Sequence, residues 1–125
     1  MSEHDDPILK VLVEARKLVA QGWTQDADAR DAGGFIVQFL SENATRYCLS
    51  GAVNRAARVS VLSNGNTFWG VTWDTAAKAL DVLNNMARGW QDEADAVHYN
   101  DNPGTKQSDV LALFDFAINY RRSLL

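Results

Sequence analysis

Between Asp6 and Gly22 the chain carries one helix written almost in full. Ile8, Leu12, Ala15 and Val19 recur at helical spacing, while Lys10, Glu14, Lys17 and Gln21 fall on other faces. Asp5 or Asp6 can cap the free amides of the first turn, Pro7 suits a position that needs no N–H donor, and Gly22 offers a left-handed exit. Three more segments repeat the period. The second runs from Asn43 or Thr45 to about Arg58, with Cys48, Ala52 and Val59 on one side and Gly51 and Ala56 beside them. Such small side chains let a neighbouring backbone come close, which predicts a central position. The third covers about Trp73 to Arg88, with Trp73, Ala76, Leu80, Leu83 and Ala87 as its stripe and Gly89 as its end. In the last, from about Thr105 to Arg122, the stripe is Val110, Leu113, Phe114, Ala117 and Ile118. Leu111, Phe116 and Tyr120 widen it past half the circumference, so this helix is the candidate partner surface.

The connections read differently. "TQDADARDAGG" followed by "FIVQFL" suggests a loop, a Gly-Gly turn and a short strand or helical turn. In "RVSVLSNGNTFWGVTW", residues 58–73, β-branched and aromatic residues flank Asn-Gly, the pattern of a hairpin. "QDEADAVHYNDNPG" reads as an acidic connection. The expected fold is mainly α: a compact single domain over residues 1–125, built as a bundle of about four helices with room for one short β-hairpin.

Composition narrows the partners. Net charge is −4 and the twelve Lys and Arg residues are scattered, so no basic stripe is present to displace counterions from phosphates, and direct nucleic-acid binding is not expected. A single cysteine cannot form an internal disulfide, and the acidic "MSEHDDPILK" is unlike a secretory signal. No apolar run approaches the roughly 20 residues that span a bilayer. The expectation is a cytoplasmic protein without membrane contact.

The stretches "GWTQ" and "ARDAGG" at 22–34, "YCLSGA" at 47–52, and "YNDNPG" leading into "SDVLALFDFAI" at 99–118 together resemble an uncharacterised family of small bacterial and phage proteins. Its members resemble one another in a first helix ending in Gly-Trp, a Tyr/Trp-Cys-x-x-Gly-Ala helix, and a Trp-Asn-Asp-x-Pro-Gly-Arg-Thr turn before a final helix. The likeness covers most of the chain outside residues 59–97. It implies an intact domain and brings no reaction with it. The chain departs at Tyr99, where the family has Trp, and at Thr105–Lys106, where it has Arg-Thr. Lys106 cannot reproduce the bidentate fork of an arginine.

Two chemistries compete for the remaining residues. A thiol near a helix N-terminus gains thiolate character from the free amides, and the order Cys48, His98, then Asn100 or Asp101 matches nucleophile, base and orienting group in a cysteine hydrolase. Against this, no glutamine stands a few residues before Cys48 as an oxyanion donor, and a buried free cysteine ordinarily packs as a small hydrophobe. His4, Cys48 and His98 include no short-spaced ligand pair, so no metal site and no cofactor is expected. Asp26, Asp28 and Asp31 lack the glycine and distant glutamate of a calcium loop and read as a solvated segment. In "NDNPG", Asn100 and Asp101 can satisfy turn amides, with Thr105 capping the last helix, or share a polar pocket with Trp23 or Arg46. The sequence therefore points to a protein-interaction module, binding through Trp23, Asn100, Asp101, Phe116 and Tyr120, to a protein partner or a second copy of itself. Its context would suit a phage or mobile-element regulator.

Overall fold

The computed structural model describes residues 6–63, 69–90 and 95–125, with side chains for all of these except 59–63, 69–73 and 90. Among them are five helices, α1 (Pro7–Gln21), α2 (Leu49–Ser63), α3 (Trp69–Trp90), α4 (Ala96–Asp101) and α5 (Gln107–Ser123). A small antiparallel sheet of β1 (Ala29–Arg30), β2 (Ile36–Val37) and β3 (Arg46–Tyr47), in the order β2-β1-β3, fills the excursion between α1 and α2. The chain is mainly α.

The periodic stripes build the core. Leu9, Leu12, Ala15 and Val19 of α1, Leu49, Ala52, Val53, Ala56 and Ala57 of α2, and Val110, Leu113, Phe114, Ala117 and Ile118 of α5 are all buried. Ala76, Ala79, Leu83 and Ala87 close it from α3. The buried alanines of α2 and α3 keep these faces small, which leaves room for close packing. Burial of each large side chain here stabilises the fold by about 1.5–3 kcal/mol.

Polar groups fix the bundle's ends. The Asp6 carboxylate, 1% exposed, accepts from the Ile8 N–H at 3.1 Å and meets Arg121 Nε at 2.6 Å, which ties the start of α1 to the end of α5. Gln107 Nε2 donates to the Val19 carbonyl at 2.7 Å, tying the end of α1 to the start of α5. The two helices therefore run antiparallel.

Several boundaries differ from the sequence expectation, each for a local reason. Gly22 has an extended backbone (φ −174°), and glycine is needed there because a Cβ would run into the Thr45 carbonyl oxygen. α2 opens at Leu49, since Thr45 to Tyr47 is drawn into strand pairing with Arg30 and Gly22. The hairpin expected over 58–73 is not formed: α2 continues to Ser63 and α3 begins at Trp69, and the Asn-Gly at 64–65 lies outside the described residues. A helix that is already packed propagates at little cost, so it overrides weak strand preferences. α3 passes through Gly89 to Trp90. In the acidic connection, Asp95 caps the short helix α4 by accepting from the His98 N–H. Thr105 is buried and is not the cap of α5: Lys106 takes that position, and the Asp109 carboxylate reaches back to its N–H at 2.9 Å.

The glycines and acids of the excursion make a hairpin where the sequence showed a Gly-Gly turn. Asp31 Oδ1 accepts from the N–H groups of Gly33 and Phe35, and Gly34 takes φ +89°. Gly34 N–H bonds the Asp31 carbonyl while Asp31 N–H bonds that of Phe35, the pairing of a glycine bulge.

Candidate functional site

Asn100 lies at the end of α4, 1% exposed, and its amide makes four hydrogen bonds. Oδ1 accepts from Trp23 Nε1 at 2.8 Å and from the Leu49 N–H at 3.1 Å. Nδ2 donates to the Thr24 carbonyl at 3.3 Å and to Asp101 Oδ1 at 2.9 Å. Two donor-only groups facing one atom fix which end of the amide is oxygen. One side chain thus satisfies a free amide at the start of α2, anchors the indole that follows α1, and holds the loop after it.

Its neighbours extend the network. Asp101 Oδ1 also accepts from the Asp26 N–H at 2.9 Å, which holds Asp26 in a left-handed conformation (φ +63°) that Asp tolerates better than most residues. Gln25 Nε2 bridges the carbonyls of Asn100 and Asn102 at 2.9 and 2.8 Å, capping the end of α4. Asn102 Oδ1 accepts from the Gly104 N–H, shaping the Asn-Pro-Gly turn. Every buried side-chain nitrogen and oxygen among the described residues has a partner. Gln25 and Thr24 were not singled out from sequence, although both stand within the quoted "GWTQ".

Cys48 sits immediately before α2, where its carbonyl accepts from the Ala52 N–H and its sulfur accepts from the Gly51 N–H at 3.3 Å. The thiol is acting as a helix cap, in the place usually taken by serine or threonine. Ser50 Oγ lies at 3.3 Å and Asp28 Oδ1 at 3.9 Å. Burial pushes the thiol above its ordinary pKa, and the hydrogen bonds from Ser50 and Gly51 offset only part of that. Gly51 is obligatory here, since a Cβ would run into the Asp28 carbonyl oxygen.

The other members of the catalytic order are engaged with partners of their own. The His98 side chain is 70% exposed, and its Nδ1 meets Asp95 Oδ1 at 2.8 Å. The Asp95 carboxyl is held below its usual range, chiefly by the His98 N–H it accepts. The Cys48 sulfur has Ser50, Gly51 and Asp28 as its partners, and Asn100 approaches α2 through Leu49. Of the expected binding residues, Trp23, Asn100 and Asp101 are brought together as one knot. Phe116 and Tyr120 are apart from it, one turn from each other on α5, each 47% exposed.

Two arginines hold the hairpin excursion without closing it over. Arg30 Nε donates to Thr24 Oγ1 and its Nη1 to the Gly34 carbonyl, at 2.8 and 3.0 Å. Arg55 Nη1 donates to the carbonyls of Phe39 and Ser41 at 2.9 and 3.0 Å, and its guanidinium lies over the Tyr47 ring. Between these anchors Phe35 and Ile36 stand 74% and 66% exposed. No group of metal-ligating side chains occurs among the described residues, and no helix there is long and apolar enough to cross a membrane.

The chain belongs to a family of unknown function, DUF6197, whose profile matches residues 3–120. No curated protein and no solved structure matches it.

Proposed function

We propose that this family member is a non-catalytic, cytoplasmic protein-interaction module that associates through the outer face of α5, with a second copy or with another protein. The observation that carries this reading is the pair Phe116 and Tyr120, each 47% exposed at the border of the buried stripe of α5. Large aromatic side chains that present apolar area with little entropy to lose are the usual anchors of interfaces. The capping role of the Cys48 sulfur and its raised pKa support this reading over a cysteine hydrolase, because the nucleophile in such enzymes is the thiolate.

Light scattering over a concentration series tests it, comparing the wild type with Phe116→Glu and Tyr120→Glu. The expected result is a wild-type mass that rises above the 13.8 kDa of one chain and variants that stay there with unchanged helix content. A wild type that remains monomeric throughout removes self-association and leaves α5 to a different protein.

A further inference from the structure

β2 is the one strand edge left open among the described residues. The outer edge of β3 is covered, since Tyr47 N–H bonds the Gly22 carbonyl and Thr24 N–H bonds that of Tyr47. On the other side, Asp31 N–H bonds the Phe35 carbonyl, and the next pair along the ladder is Arg30 with Ile36. Antiparallel pairs alternate, so Ile36 is in a non-bonded pair and turns its N–H and carbonyl away from β1. Such an edge is a template for another strand. Natural edges are blunted by short length, Lys, Pro or inward charge; β2 is short, at two residues, but carries no Lys or Pro and displays Phe35 and Ile36, the two most exposed large apolar side chains described.

The pocket beside it is acidic. An open pocket of about 400 Å³ at the hairpin tip is lined by Asp31, Ala32, Gly33, Glu42, Asn43 and Thr45, two carboxylates and no cation. The Phe35 ring lies against Gly33, so the apolar patch and the acidic pocket adjoin. Two of the nearby arginines are directed elsewhere, Arg30 to Thr24 and Gly34 and Arg55 to Phe39 and Ser41, and the exposed Arg46 stands on β3, across β1 from the open edge.

We infer that the β2 edge and this pocket receive an extended segment of another protein that alternates apolar residues with Lys or Arg. The segment pairs its main chain with Ile36, lays its apolar side chains on the face that carries Ile36, and places a cation on the opposite face, beside Phe35 and between Asp31 and Glu42. A second copy of this chain is disfavoured as occupant by its net charge of −4. The inference shares with the preceding section only the premise that the chain binds proteins, since it uses a different surface.

The test is fluorescence anisotropy of the full chain with a labelled, end-capped peptide of alternating lysine and valine. Controls are the glutamate-valine counterpart and a lysine-valine peptide N-methylated at alternate residues. Expected are saturable binding of the lysine peptide that weakens as salt rises from about 50 to 500 mM, and loss with both controls. Ile36→Pro, which removes the outward N–H, and Glu42→Lys should each weaken binding about tenfold or more, an effect of 1.4 kcal/mol. Asp81→Lys on α3, the same charge change at a distance, should leave it within about twofold, as should Phe116→Glu. Equal binding of the two charge types, wild-type binding by Ile36→Pro with native helix content, or equal weakening by Asp81→Lys and Glu42→Lys would overturn the inference. Because Phe116→Glu is the variant that breaks the α5 interface, its result separates failure of this site from failure of that one.

Discussion

The Asn100 knot and the β1–β2 hairpin share a border at Thr24 and Arg30, yet they use their residues in opposite ways. In the knot, the side chains usually associated with chemistry, Asn100, Asp101, Trp23 and Cys48, are turned toward the chain's own amides and carbonyls. In the hairpin, side chains usually associated with a core, Phe35 and Ile36, are turned to solvent, and the polar work is done by backbone groups, the Asp31 carboxylate and two arginines. Residue type alone therefore misleads in both regions. The knot is where the fold is set, and the hairpin is where surface is offered.

The largest break of that contrast would come from Asn100→Ala. It leaves the Trp23 indole N–H and the Leu49 amide without an acceptor, and each unsatisfied buried donor costs about 1–3 kcal/mol. A loss of about 3 kcal/mol or more is expected in urea unfolding, with one cooperative transition. A loss under about 1 kcal/mol would mean that the amide is not the keystone of the knot.

The same contrast marks how far the sequence could be read. Helix α1 was legible to its limits because apolar period, Asp6 and Pro7 agree and Gly22 marks its end, although by a close approach to Thr45 and not by a left-handed turn, and the buried stripe of α5 was legible residue by residue. The knot was legible only as a set of alternatives. Asn100 and Trp23 were each recognisable, but their pairing spans 77 positions in sequence and no local spacing encodes it. The sheet was read weakly, since two-residue strands carry too little alternation to be told from loop. The hairpin expected at 58–73 failed for the opposite reason: a real local strand signal was overruled by continuation of two packed helices.

A middle-sized effect belongs to the excursion. Arg55→Ala removes two hydrogen bonds to the carbonyls of Phe39 and Ser41 and the guanidinium over Tyr47, together worth about 1–2 kcal/mol. Because these contacts hold only the return limb of the excursion, the cost should be local. Hydrogen exchange followed by mass spectrometry should show faster exchange over residues 38–45, with α1, α2 and α5 protected as in the wild type. Equal acceleration throughout would merge the two regions into one cooperative unit and break the comparison. The same change made in the knot should instead accelerate exchange everywhere, since Asn100 joins three elements at once.

The smallest effect sharpens the knot from within. Cys48→Ser keeps a side-chain acceptor for the Gly51 N–H and places a better capping residue there, so stability at pH 7 should stay within about 1 kcal/mol of wild type. The two proteins should part in alkaline solution. The folded thiol titrates above its ordinary value of 9.0 because burial disfavours the thiolate, whereas the unfolded thiol ionises at that ordinary value. Below it both states hold the proton and the contribution is constant. As pH climbs above it, the unfolded state releases its proton first, so the wild type loses stability relative to Cys48→Ser. Iodoacetamide at neutral pH should correspondingly alkylate the native protein far more slowly than the urea-unfolded chain. Rapid native alkylation, or a wild-type minus serine difference that grows in the wild type's favour with pH, would place an ionised and accessible sulfur at the head of α2. The knot would then have an outward-facing reactive group after all, and the division of labour between the two regions would not hold.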